Sequence, residues 1–201
     1  MNSPDFMPIA QSATADADVG RASRFLTVSL ARELGILLSL SLLFPFMIHI
    51  IPVPEDAQLG PKLLPMFYAP LLAVLWGRLQ SALGVALLAP WLNWVLTSHP
   101  SPPSAVVMMI QLLGFVVVLR LLLNRVGARW FLAAPAYLSG IVASLAVAIV
   151  FPALIHGRGA LVWALQSVTV GLPGIAILVL INWLVLRFYP PSAGGGGPQA
   201  A

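Results

Sequence analysis

Long apolar runs separated by short polar breaks dominate the pattern of hydrophobic and polar positions along this chain. A helix of about 20 apolar residues, rising ~1.5 Å per residue, crosses the ~30 Å hydrocarbon core of a bilayer. Six apolar segments stand out at residues 26–51, 63–76, 79–97, 105–123, 130–155 and 161–188. The pattern therefore predicts an all-α integral membrane protein with six transmembrane helices.

The second segment, 63–76, differs from the others because it is short and contains Pro65 and Pro70. A proline frees backbone carbonyls, and inside a bilayer such groups need protein or water as partners. We therefore predict a short, irregular second helix that packs against other helices. The whole six-helix domain is expected to span residues 25–189, between a flexible cytoplasmic tail (1–24) and a disordered, Pro/Gly-rich tail (190–201).

The cationic residues predict the orientation. Of the ten Lys and Arg residues, only Lys62 and Arg158 fall on one side of the predicted bundle, and the other eight fall on the opposite side. Positively charged residues beside short loops are retained in the cytoplasm. We therefore expect a multi-pass protein of the cell inner (plasma) membrane, with both termini cytoplasmic and outer loops at 52–62, 98–104 and 156–160.

Composition narrows the function classes. The chain is 60% hydrophobic and 8% charged and contains no cysteine, which excludes disulfides, thiolate catalysis and Cys-based metal sites. It also lacks a Gly-Lys-Ser/Thr phosphate loop, a Gly-x-Ser-x-Gly elbow and a His-Glu-x-x-His helix. Glu33, the acid inside a predicted span, is expected to pair with Arg32 or Arg24 at the cytoplasmic edge. No enzyme, cofactor, nucleic-acid surface or energy source of its own is predicted.

Polar and aromatic side chains within the predicted spans gather at one depth, in the outer half. They suggest a water-accessible pocket in which amides fix the orientation of a ligand and aromatic rings supply contact area. The alternative is that the amides bridge helices and the tryptophans form an interfacial belt. The candidate substrate-binding residues are Tyr68, Asn93, Trp94, Gln111, Trp163 and Gln166.

Three histidines, His49, His99 and His156, stand at the predicted outer ends of the first, third and fifth helices. Three imidazoles are a possible ligand set for a divalent metal. They are equally explained as separate interfacial residues beside Pro or Gly turns, because no acid or fourth ligand accompanies them. No metal site is predicted.

Small residues recur every four positions on two helices, where they permit close approach of another helix. One set is Ala31, Gly35 and Ser39 on the first helix, and the other is Ala136, Gly140, Ser144 and Ala148 on the fifth. Either both sets pack inside the chain, or one of them faces a partner.

Several features together resemble a known family. These are six helices in about two hundred residues, both ends cytoplasmic, a long first outer loop rich in Pro and Gly (IPVPEDAQLGPKLLPMF), the hairpin LLAVLWGRLQSALGVALLAPWLNWVLT and no energy source. Over residues 26–188 the chain is similar in pattern to the substrate-binding S component of an energy-coupling-factor (ECF) vitamin transporter.

The resemblance implies that a small, vitamin-like nutrient binds with high affinity from the outer side, and that the first outer loop, with Pro54, Gly60 and Lys62, acts as a gate. It implies as partners a transmembrane T component and two cytoplasmic ATPase subunits. In this family two alanines four apart on the first helix form the docking motif. Ala31 matches the first alanine, and Gly35 replaces the second.

The candidate site would suit an uncharged or weakly anionic ring, with Lys62 or Arg158 available for a carboxylate. Two other classes stay open. A structural scaffold of the cell envelope would explain the packing faces without a pocket. A stand-alone facilitative transporter would use the weak similarity between LNWVL (92–96) and INWLVL (181–186) as an inverted repeat.

Overall fold

The computed structural model describes residues 10–50, 59–76 and 78–189, with side chains from position 28 onward except at 48 and 49. All regular elements in these ranges are helical, which confirms the predicted all-α class. The α-helices are α1 (Ala10–Ile50), α2 (Leu59–Leu63), α3 (Tyr68–Trp76), α4 (Leu79–Thr97), α5 (Pro102–Val126), α6 (Ala133–Val150) and α7 (Ala160–Phe188). Two 3₁₀ turns, Pro65–Phe67 and Pro152–Ile155, precede α3 and follow α6.

Five helical segments within the described ranges are long and apolar enough to cross a membrane. They are Val28–Met47 in α1, the helices α4, α5 and α6, and the segment Pro152–Phe188 that contains α7. The second predicted segment is a shorter apolar helix, Pro65–Trp76. At ~1.5 Å per residue it reaches only about 18 Å, so it does not cross a bilayer alone.

Helix α3 lies at the centre of the bundle, where it contacts α1, α4, α5 and α7. Both Pro65 and Pro70 are buried, so protein encloses the backbone around them. Phe67 fixes the turn before α3 by edge-to-face contacts with Phe115 at 5.3 Å and Tyr137 at 5.1 Å between ring centroids. The short, irregular second helix packed against other helices is therefore found as predicted.

The remaining helices form a ring around α3. Each of α4, α5, α6 and α7 packs against its neighbour in sequence, α1 packs against α4, and α2 lies between α7 and α1. The small residues of α6 face inward, since Ala136, Gly140, Ser144 and Ala148 are all buried. A Cβ atom added at Gly140 would collide with the carbonyl oxygen of Gln111 on α5. The small-residue set of α6 is therefore an internal packing face.

Helix α1 begins at Ala10 and so extends into the segment 1–24 that the sequence analysis treats as a flexible tail. The physical reason lies in this stretch itself, because its frequent alanines favour helix and no proline follows Pro8 before Pro45. The apolar pattern used to place the first span carries no information on polar helix of this kind. The outermost parts of both predicted tails, 1–9 and 190–201, lie outside the described residues.

Candidate functional site

A cavity of about 710 Å³ lies at the end of the bundle where α4 joins α5 and α6 joins α7. We call it the end cavity. Its rim includes His99 from the first of these connections and His156 and Arg158 from the second, while α2 and the 3₁₀ turn before α3 supply another wall. The volume falls within the ~300–1,000 Å³ of typical small-molecule sites.

Apolar and aromatic side chains form the body of the end cavity. They are Met66, Phe67, Met108, Tyr137 and Trp163. Phe67 and Tyr137 are each only 2% exposed, which gives the cavity two rigid aromatic walls. The methionines beside them are flexible and polarisable, so the surface can adapt to a flat ring.

Two carboxamides, those of Asn93 on α4 and Gln111 on α5, also line the end cavity. Asn93 is 8% exposed, and its carboxamide makes no hydrogen bond to any described residue. The Gln111 carboxamide is likewise unpaired within the described part of the chain. Neither amide is among the fully buried unpaired atoms of the described residues, so both are accessible from the cavity and can pair with a bound molecule.

The rim carries positive charge. Arg158 is the only charged residue among the described lining residues, and His99 and His156 line the same cavity. Two consecutive left-handed residues, His156 at φ 57° and Gly157 at φ 70°, turn the chain between the second 3₁₀ turn and α7 and so set Arg158 at the cavity. Glu55 and Asp56, in the α1–α2 connection, lie outside the described residues.

The structure brings three of the six predicted substrate-binding residues together, because Asn93, Gln111 and Trp163 all line the end cavity. Gln166 is exposed and lies outside the lining. On α7 the cavity is lined at Trp163, Ser167 and Val170, which follow the helical repeat. Gln166 is rotated ~100° from Ser167 and so faces away.

Tyr68 and Trp94 also lie outside the lining of the end cavity. The Tyr68 hydroxyl donates to the carbonyl oxygen of Leu63, and its ring packs edge-on against Phe44 at 5.4 Å, which ties α3 to α2 and α1. Trp94 packs against Trp91 with ring centroids 6.1 Å apart. Both residues therefore make contacts within the chain.

Five further residues line the cavity and were not predicted from the sequence, namely Met66, Phe67, Met108, Tyr137 and Ser167. In leucine-rich helices, a methionine or phenylalanine does not reveal from the sequence which face of the helix it lies on. A signal did exist for Tyr137, which precedes Gly140 by three residues and so shares the buried face of the small-residue set of α6.

The predicted gate and the histidine set are described only in part. Gly60 lines the cavity, Lys62 does not, and Pro54 lies outside the described residues. His99 and His156 lie on one rim, whereas the side chain of His49 is outside the described set. No group of three metal-ligating side chains occurs among the residues described.

The predicted docking residues Ala31, Gly35 and Ser39 are exposed on α1. No atom lies within 4 Å of a Cβ built on Gly35, and the Ser39 hydroxyl donates back to the Gly35 carbonyl at 2.9 Å. The two small-residue sets thus differ. The α6 set is covered by α5, whereas no described part of this chain covers the α1 set.

At the opposite end of the bundle, polar side chains join helices. Asn182 is fully buried, and its Nδ2 donates to the carbonyls of Arg129 at 2.9 Å and Trp130 at 2.8 Å. Glu33 accepts a hydrogen bond from the backbone N–H of Arg78 at 2.9 Å, at the start of α4. A carboxylate at that point meets the unpaired N–H groups of a helix N-terminus. Of the two predicted partners, Arg32 shows no such bond to Glu33, and the side chain of Arg24 lies outside the described residues.

Glu33 and Asn182 thus join helices at one end of the bundle, although Asn182 Oδ1 is buried without a partner among the described residues, and the unpaired carboxamides of Asn93 and Gln111 line the end cavity at the other. Comparisons with family models, with curated proteins and with solved structures give no match to this chain.

Proposed function

We propose that this chain is the substrate-binding subunit (S component) of an ECF-type importer for a small, vitamin-like nutrient. The observation that carries the proposal is the Asn93 carboxamide, 8% exposed and without a partner among the described residues, in the lining of a 710 Å³ cavity. A scaffold is expected to use such an amide to bridge helices, whereas this one lines the cavity. A binding protein needs it to recognise a ligand.

The proposal includes a topology of six crossings, with α2, the 3₁₀ turn and α3 together forming the second. The end cavity then faces outward in the cell inner (plasma) membrane, and both termini are cytoplasmic. The distribution of cations between the two ends of the bundle supports this orientation. Lys62 and Arg158 lie toward the cavity end, while Arg78 and Arg129 lie at the opposite end, beside Glu33 and Asn182. This is the asymmetry expected when positive charge stays inside.

Uptake would be powered by separate subunits, a T component and two ATPases, since the chain has no nucleotide-binding motif. Helix α1 would dock the T component through Ala31, Gly35 and Ser39. The exposure of these residues supports this role, because small side chains let a partner helix approach the backbone closely.

The decisive experiment is a thermal-shift screen of the detergent-purified full chain against water-soluble vitamins and their precursors. A ligand at ~100 times its dissociation constant adds ~2.7 kcal/mol to the folded state. For a chain of this size that corresponds to a rise of roughly 5–11 °C in Tm. Measuring substrate accumulation in proteoliposomes without partners separates an S component, which should show none, from a stand-alone facilitative transporter.

Two asparagine variants provide the matched test. Asn93→Leu is expected to weaken ligand binding by about 0.5–1.5 kcal/mol, roughly two- to twelve-fold, with no loss of Tm in the ligand-free protein. Asn182→Leu is expected to lower the ligand-free Tm and leave the dissociation constant unchanged, because it removes two hydrogen bonds that join α7 to the α5–α6 connection, at the end of the bundle opposite the cavity. If no compound shifts the Tm of folded protein, a scaffold becomes the better assignment.

A further inference from the structure

We propose that the end cavity selects a ligand with one carboxylate, and that Arg158 at the rim pairs with that carboxylate while the ring of the ligand lies against Phe67, Tyr137 and Trp163. The inference rests on the proposed function and deepens it. It assigns the anion-binding role to Arg158, which lines the cavity, and not to Lys62, which does not.

The charge of the cavity lining favours an anionic ligand. Arg158 is the single permanent cation among the described lining residues, and no Asp or Glu lines the cavity in the described ranges. A cationic ligand would therefore meet repulsion at the rim without compensation inside. A ligand with one negative charge matches the site, and the planar guanidinium of Arg158 can bind both oxygens of a carboxylate.

The histidines on the rim reinforce the preference. An imidazole keeps at least one N–H donor in either protonation state. His156 is two residues from Arg158 and lines the same cavity, as does His99 from the facing connection. A carboxylate has two oxygens and about four acceptor positions, so it can accept from the guanidinium and from an imidazole together.

The interior fixes the other end of the ligand. The Asn93 and Gln111 carboxamides each offer a donor and an acceptor and are unpaired among the described residues. A group with the same complementarity, such as a ring amide or a ureido group, would satisfy them. The ligand class is therefore a ring compound with an amide-like group at one end and a carboxylate at the other.

The test compares probes that share a ring and differ in charge. Indole-3-acetate, indole-3-acetamide and tryptamine form one set, and benzoate, benzamide, benzylamine and phenyl phosphate form another. The vitamins and precursors of the functional screen are added, each acid beside its primary amide. Dissociation constants are measured by calorimetry and Tm shifts on the full chain, its Arg158→Gln variant and the matched control Arg129→Gln, which removes an exposed arginine at the opposite end.

We expect acids to bind at least ten-fold more tightly than their amides, and amines to bind more weakly still. Arg158→Gln should reduce the preference for acid over amide to about two-fold or less and leave the affinity for amides unchanged. Arg129→Gln should retain the full preference. A loss of affinity for acid and amide alike in Arg158→Gln would indicate a structural role for Arg158 and overturn the assignment.

The remaining outcomes separate this inference from the function on which it rests. If amides or amines bind as tightly as acids, and Asn93→Leu weakens that binding, the carboxylate preference is wrong and the binding function stands. Tighter binding of phenyl phosphate than of benzoate would replace carboxylate by phosphate. If no compound of any charge shifts the Tm of folded protein, both proposals fail.

Discussion

A methyl group added at Gly140 tests how the α5–α6 contact shapes the end cavity. In the structure, a Cβ at this position would overlap the carbonyl oxygen of Gln111 and lie 3.2 Å from its carbonyl carbon and 3.4 Å from its Cα. All three atoms belong to the backbone of α5, so no side-chain rotation relieves the overlap. Gly140→Ala therefore requires the two helices to separate.

The expected cost follows from that geometry. Gly114 of α5 faces Gly140, and a Cβ there would lie 3.1 Å from the Gly140 Cα, so the helices already pack at backbone distance. Overpacking of a dense interior typically costs about 1–3 kcal/mol. For a chain of this length, that loss corresponds to a fall of roughly 2–12 °C in Tm. Because Gln111 also lines the end cavity, ligand affinity should fall with stability.

Thermal unfolding of the purified protein measures the first effect, and calorimetry with the ligand found in the vitamin screen measures the second. Gly35→Ala is the matched control, since no atom lies within 4 Å of its added Cβ. Alanine is favoured over glycine in a helix by up to about 1 kcal/mol, so this control should leave Tm unchanged or raise it. It also places a second alanine four residues after Ala31, as in the docking motif of the S-component family.

Two results would refute the reasoning. Equal Tm values for Gly140→Ala and the wild type would mean that the α5–α6 contact is looser than the structure describes. A loss of stability in Gly35→Ala as large as that in Gly140→Ala would mean that the α1 set is covered in the isolated chain, which removes the support for its proposed role in docking.

Other substitutions test further parts of the fold. Glu33→Ala removes the carboxylate that accepts from the Arg78 N–H at 2.9 Å, and should lower stability by about 0.5–2 kcal/mol in thermal unfolding; weaker ligand binding at unchanged Tm would contradict this. Gly174→Ala places a Cβ 2.6 Å from Leu64 Cγ and 2.8 Å from the Lys62 carbonyl oxygen, so α2 must move off α7. Overpacking should lower the free energy of unfolding by about 1–3 kcal/mol. Because Leu64 lines the cavity, calorimetry should also show weaker ligand binding. An unchanged dissociation constant would argue that α2 is not part of the site.

Much of the helical architecture could be predicted from the sequence, because helix boundaries depend on local chemistry. The predicted third span, 79–97, coincides with α4. The signals there were Arg78 at one end and the polar Thr97–Ser98 sequence before Pro100 at the other. The packing of α3 against other helices could also be predicted from the sequence, since two prolines in an apolar segment need surrounding protein. The rotation of each helix about its axis could not be predicted, because a uniformly apolar span has no polar face to fix it.

Asn93 and Asn182 show why the site was harder to predict than the fold. Both occur in an Asn-Trp pair within leucine-rich helix, so their local sequences are alike. The Nδ2 of Asn182 donates to two carbonyls of the α5–α6 connection, and this side chain therefore joins helices. Asn93 meets no such group among the described residues and lines the end cavity instead. The difference lies in what faces each amide across the bundle, and that depends on tertiary packing. Lack of a partner is not sufficient, since Asn182 Oδ1 is buried and unpaired away from the cavity. An amide that is unpaired and also lines a cavity is the stronger indication of a ligand site, and Asn93→Leu is the variant that tests it most directly.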